Sequence, residues 1–110
     1  MDNFEARYRA IVEKVPEVRH PELEPDDFAT WFYKTGSYFV LPTSCARAAV
    51  CWWLAGKLPD DWMLRMYGGV SQILVWDDAV DEWVAVRGFD NPADAILTAW
   101  EIVLGIKEKP

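Results

Sequence analysis

Residues 70–104 read VSQILVWDDAVDEWVAVRGFDNPADAILTAWEIVL, and this stretch decides the fold. Ile73, Val75 and Asp77 alternate with Gln72, Leu74 and Trp76; beyond Asp78 to Glu82 the chain returns through Trp83, Val84, Ala85 and Val86. β-branched and aromatic residues suit a pleated surface, so the spacing predicts a hairpin with an acidic tip. Trp76 and Trp83 flank that tip and are expected to pair across the strands and pin their register. Asn91 then stands as an N-cap before Pro92, which lacks the N–H that a helix start leaves unpaired anyway. Ala95, Ile96, Ala99, Trp100, Val103 and Leu104 share one helical face, while Asp94, Thr98 and Glu101 are expected on the solvent side. Gly105 supplies a left-handed stop.

Working upstream, Trp62 to Tyr67 reads as a third strand that turns at Gly68-Gly69 into the strand beginning at Val70. Thr43 to Ala55 reads as a helix started by Thr43 or Ser44 and stopped by Gly56. Its Ala46, Ala48, Ala49, Val50, Cys51, Trp52, Trp53, Leu54 and Ala55 make it apolar nearly all round. Such a helix is buried on several sides or completed by a partner. Trp52 and Trp53 point about 100° apart on it, so both are covered only if packing wraps the helix or another chain does so. Residues 26–41 carry signals for a short helix and for a hairpin; the preferred reading is a helical turn to about Phe28, then Trp31–Tyr33 paired with Tyr38–Val40. Pro16, Pro21 and Pro25 imply an extended connection before it. Asn3 to Val15 reads as a first helix, capped by Asp2 or Asn3, with Phe4, Tyr8, Ile11, Val12 and Val15 on its core face and Arg7, Arg9, Glu13 and Lys14 opposite. The expected architecture is α+β, a single domain over 1–110: an antiparallel sheet of about three to five strands with two or three helices mainly on one face.

The chain has 110 residues, 52% of them hydrophobic, with seven Trp, which excludes a disordered tail and points to aromatic packing or an aromatic surface. No apolar run follows Met1, so the cytoplasm is the expected location. Ser37 to Gly56 holds one charge, Arg47, which would cost roughly 2.5–3.5 kcal/mol at the centre of a membrane span, and Pro42 interrupts the run. No membrane span is expected. Cys45 and Cys51 fall on different sides of one helix and cannot bridge, so a pair of reduced core thiols is expected.

The net charge of −7 is unevenly placed: residues 58–101 hold nine acids against Arg65 and Arg87. No basic stripe exists to neutralise phosphates, so direct nucleic-acid binding is not expected. The lone His20 sits between prolines without a placed catalytic partner. No zinc spacing, phosphate-cradling glycine loop or nucleophile motif occurs, and no metal or cofactor is expected. Asp77, Asp78, Asp81 and Glu82 lack the glycine and spacing of a calcium loop. With Asp60-Asp61 and Asp26-Asp27 they form an acidic surface suited to a basic protein partner, such as one whose own ligand is nucleic acid. Trp52, Trp53, Trp76 and Trp83 are the alternative, aromatic, contact residues. The expectation is a non-enzymatic protein-binding module of the size and charge of small immunity, antitoxin or phage-encoded inhibitor proteins. Its competitors are a small enzyme using the carboxylates of the acidic turn and a structural homo-oligomer built on residues 43–55.

Overall fold

The computed structural model describes residues 3–34, 40–67, 70–89 and 91–107. In chain order the elements are α1 (Phe4–Lys14), a single 3-10 turn (Pro16–Val18), β1 (Leu23–Pro25), β2 (Trp31–Tyr33), β3 (Val40–Leu41), α2 (Thr43–Gly56), β4 (Trp62–Tyr67), β5 (Val70–Asp77), β6 (Glu82–Phe89) and α3 (Pro92–Val103). The fold is α+β; among the described residues the strands form two antiparallel sheets, ordered β1-β2-β3 and β4-β5-β6. No helix among the described residues is long and apolar enough to cross a membrane.

α3 is the centre of the molecule. Asn91 accepts a hydrogen bond from the Ala93 N–H at 2.8 Å, as the sequence leads one to expect, and Gly105 beyond the helix has φ +75°. Residues 95 to 101 are all buried because the helix is covered on two sides. Ala95 and Ala99, with no bulk beyond Cβ, let it lie close on the β4–β6 sheet against Ile73 and Phe89. Ile96, Leu97 and Trp100 face Ile11, Trp31, Val50 and Leu54 from the other elements. Full burial of each such side chain contributes about 1.5–3 kcal/mol. The all-round covering expected of α2 therefore belongs to α3. α2 buries only Ala46, Val50 and Leu54, a narrow stripe at four-residue spacing.

Thr98 and Glu101 are not on a solvent face; they are 3% and 6% exposed, because Arg7 of α1 reaches across to bind them. The Ile73–Leu74 step also departs from strict alternation. Both are buried, and the pairing jumps from Ile73↔Arg87 to Leu74↔Ala85, which leaves Val86 as the extra residue of a bulge in β6.

The expected extended connection hides a strand. Leu23–Pro25 pairs with Trp31–Tyr33, and the intervening turn is made by Asp26, whose Oδ1 accepts from the N–H groups of Phe28 and Thr30 at 2.8 and 2.9 Å. That side-chain turn replaces the helical turn expected before Phe28. Trp31 and Phe32 pair onward with Leu41 and Val40, so the hairpin reading holds there; Tyr38 and Phe39 lie outside the described residues, as do Gly68 and Gly69. Two caps differ from expectation. Asn3 occupies the N-cap position of α1 without a side-chain capping bond, and α2 starts from Pro42 rather than from Thr43 or Ser44.

Candidate functional site

Strand register gathers the acidic residues. Trp62 pairs with Val75, Asp77 pairs with Glu82, and the Trp76 N–H donates to the Asp61 carbonyl at 2.9 Å. Asp60, Asp61, Asp77, Asp78, Asp81 and Glu82 thus sit at one end of the β4–β6 sheet, and all six are exposed. Among the described residues, none of them enters an ion pair, whereas Glu5, Glu24, Asp94 and Glu101 all do. The tip is held by short-range bonds. Asp77 Oδ1 accepts from the Ala79 N–H, Asp78 Oδ1 accepts from the Trp76 indole, and the Asp81 N–H closes on the Asp77 carbonyl. Asp81 takes a left-handed conformation, φ 56°, which an aspartate tolerates better than most residues. Asp26 belongs elsewhere: it builds the β1–β2 turn, and Arg9 donates to its carbonyl.

The structure separates the four tryptophans. Trp76 and Trp83 are Cα partners whose rings meet edge to face at 5.5 Å, the cross-strand pair expected from the sequence. Trp53 is occupied internally: its indole donates to the Val18 carbonyl at 3.0 Å, Lys57 lies 4.6 Å over the ring and His20 packs 5.5 Å away. Trp52 is 84% exposed. It stands on the rim of an open groove of about 850 Å³ between α2 and β4. One wall carries Ala48, Cys51 and Trp52, the other Trp62, Met63 and Met66, and Pro92 and Ile96 of α3 contribute to the floor. No periodicity in the sequence announces this groove. The nearest signal is the run Trp62-Met63-Leu64, apolar on both faces of a strand where a single buried face needs only one.

Charged residues tie the helices together, among them Arg7 and Glu101, which the sequence places away from the core. Glu5, 5% exposed, accepts from Arg47 Nε and the Trp31 indole at 2.7 Å each and from Arg47 Nη2 at 2.6 Å. Burial pushes its carboxyl up, but the bonds from Arg47 and Trp31 outweigh burial and hold it below the ordinary carboxylate range. Arg7 binds Asp94 at 2.7 Å, Thr98 at 3.0 Å and Glu101 at 2.5 Å, and these bonds to Glu101 and Asp94 hold its guanidinium above its ordinary value. Among the described residues no buried side-chain nitrogen or oxygen lacks a partner. The thiols differ from the expected core pair. Cys45 is exposed, and Cys51 is half-buried with burial pushing its pKa up to about 11, which leaves it a poor nucleophile.

Among the described residues no three His, Cys, Asp or Glu side chains converge closely enough to hold a metal ion. His20 is remote from this chemistry: its Nδ1 accepts from the N–H groups of Glu22 and Leu23 at 3.1 Å each, fastening the entry to β1. No protein-family model matches the sequence, and no curated protein or solved structure matches it either. Two features therefore remain on the surface as candidates, the acidic end of the sheet and the apolar groove beside β4.

Proposed function

We propose that this chain is a non-enzymatic protein-binding module that docks on a basic partner through the acidic end of the β4–β6 sheet. The observation that carries the reading is the gathering of Asp60, Asp61, Asp77, Asp78, Asp81 and Glu82 at that end with no ion pair among the described residues. Glu5, Asp94 and Glu101 are bound by arginines inside the fold, whereas these six stand together in solvent, where a field of one sign attracts a basic surface and speeds encounter. The partner's basic face suits a protein whose own ligand is nucleic acid, and occupying that face would make this module an inhibitor. The reading sets it in the cytoplasm, where its two thiols stay reduced.

The test uses wild type and the Asp77→Asn, Asp78→Asn, Asp81→Asn, Glu82→Gln variant as baits in a nuclease-treated host lysate, at low and at high salt. The variant keeps an exposed turn and should fold. The expected result is a basic protein retained by wild type at low salt, released as salt rises and lost from the variant, with the difference lying mainly in the association rate of the purified pair. Identical retention by both baits at low salt would remove the acidic end from the interface. The carboxylate-enzyme alternative would use Asp77 and Asp78, which line an open depression of about 430 Å³ with Val75, Trp76 and Val84; it predicts a turnover lost in the same variant while affinity for any macromolecule stays the same.

A further inference from the structure

β4 is an edge strand, since β5 is its only neighbour among the described strands. Half of its backbone N–H and C=O groups, on alternate residues, point away from β5, and of these the Trp62 N–H is taken by the Pro59 carbonyl at 2.9 Å. Edge strands are normally blunted by bulges, prolines or free charges, because a bare edge is a template for another strand. The opposite edge, β6, is blunted by the bulge at Val86. β4 carries no bulge: its six residues pair with β5 in unbroken register, and its one charge, the exposed Arg65, is bonded to the neutral Gln72 at 2.6 and 3.1 Å on the strand face opposite Trp62, Leu64 and Met66. Alongside this bare edge runs the groove, whose far wall presents Trp52, 84% exposed, and whose near wall presents Met66, 68% exposed. Methionine and tryptophan together make a wall that adapts to different apolar side chains. At the end where β4 begins stand Asp60 and Asp61, exposed and without an ion pair among the described residues.

We infer that the groove between α2 and β4 receives an extended segment of the partner protein. The segment adds as a fourth strand to the β4 edge, sets alternate apolar side chains against Trp52 and Met66, and carries a basic residue at the end that meets Asp60 and Asp61. This deepens the reading of the acidic end, with which it shares a basic partner. Each part of the occupant follows from the part of the site it meets. The unpaired edge asks for an extended backbone, and the one apolar flank asks for apolar side chains at every second position, since successive strand residues point to opposite faces. The two uncompensated carboxylates ask for lysine or arginine at one end. A strand lies about 4.8 Å from its neighbour and six residues span about 20 Å, so the segment engages roughly six residues.

The experiment is selection of a displayed random dodecapeptide library on the full chain, counter-selected on Trp52→Glu, a substitution at an exposed residue. Enriched peptides should show apolar residues at every second position with Lys or Arg toward one end. The best of them, synthesised, should bind wild type and lose roughly tenfold or more in affinity to Trp52→Glu and to Met66→Glu. Binding to Asp60→Asn, Asp61→Asn should be weaker and less dependent on salt. N-methylating alternate amides of the peptide, which removes strand pairing without touching the protein, should cost at least as much as Trp52→Glu. Indifference to N-methylation, enrichment with a three-to-four-residue period, or no enrichment over the Trp52→Glu control would overturn the inference. So would a wild-type dimer in light scattering that Met66→Glu dissociates, since the occupant would then be a second copy. The two readings fail separately: the variant neutralised at 77, 78, 81 and 82 leaves the groove untouched and should still bind the selected peptide, whatever the lysate experiment shows.

Discussion

Replacing Glu5 by alanine should unfold the protein at a markedly lower temperature, although the residue belongs to neither candidate surface. Its carboxylate accepts from the indole of Trp31, which is 0% exposed, and from two nitrogens of Arg47, whose side chain is 24% exposed. Without it the indole N–H is buried with no acceptor, which costs about 1–3 kcal/mol, and breaking a buried ion pair from one side costs ~3–5 kcal/mol in all. Water reaches part of Arg47, so the lower end applies, about 3 kcal/mol. For a chain of this size that lowers the melting temperature by roughly 10 °C. Urea titration followed by circular dichroism measures the first figure, and a thermal scan the second. The double variant Glu5→Leu, Arg47→Met removes both charges together and should recover the ion-pair share of the loss but not the share from the Trp31 indole, which still lacks an acceptor. Because the Glu5 carboxyl is held below its ordinary range in the folded state, its contribution is complete at neutral pH. It is lost as pH falls from the ordinary carboxylate value through the lowered one, so wild type should lose more stability on acidification than Glu5→Gln does. A Glu5→Ala protein within ~1 kcal/mol of wild type would mean that the link between α1, β2 and α2 does not form in solution.

Two further outcomes can be checked on the isolated protein. Trp100→Ala should cost ~3–5 kcal/mol in urea, through the vacated core and the lost bond from its indole to the Leu54 carbonyl, and Asn91→Ala about 1 kcal/mol through the lost cap; a Trp100→Ala protein that melts like wild type would contradict the central placing of α3. The His20 imidazole is held below its ordinary value by burial, with Glu22 opposing and Lys34 assisting, so an NMR titration should place its midpoint below ~6.5. Its stabilising share is whole above the unfolded value and falls away as pH drops from there through the folded one, a pH limb that His20→Ala should flatten.

The parts of the fold legible in the sequence were those where one local rule suffices. Asn91-Pro92 and Gly105 mark the ends of α3, and the acidic tip between two β-rich runs marks the β5–β6 hairpin. What escaped was set by distant partners. Thr98 and Glu101 look like solvent residues on their own helix and are buried only because Arg7, far back in the chain, comes to lie against them. β1 has three residues, ends in a proline and has no alternation long enough to register as a strand; its pairing with β2 depends on the Asp26 turn. The six acidic residues could be named from the sequence, and their shared location follows from the β4–β5–β6 register. The groove could not, because its walls come from two elements whose approach is decided by the packing of α3.

The bond from Arg7 to Glu101 joins residues 94 apart in the chain, and α1 packs its Ile11 in the same core as Trp100. On the ribosome, α1 therefore emerges with Arg7 unmatched, and although Trp31 follows soon behind to meet Phe4 and Tyr8, the α3 side of its core arrives only after α3 leaves the tunnel. At ~5–20 residues per second, the 94-residue interval lasts roughly 5–19 s. During that time the core of Phe4, Tyr8, Ile11 and Val12 lacks Ile96, Leu97 and Trp100, on a helix too short to hold itself. The nascent chain is thus a client for any factor that shields apolar segments near the tunnel exit, and slowing translation between α1 and α3 should lengthen its exposure to proteases without altering the stability of the finished protein.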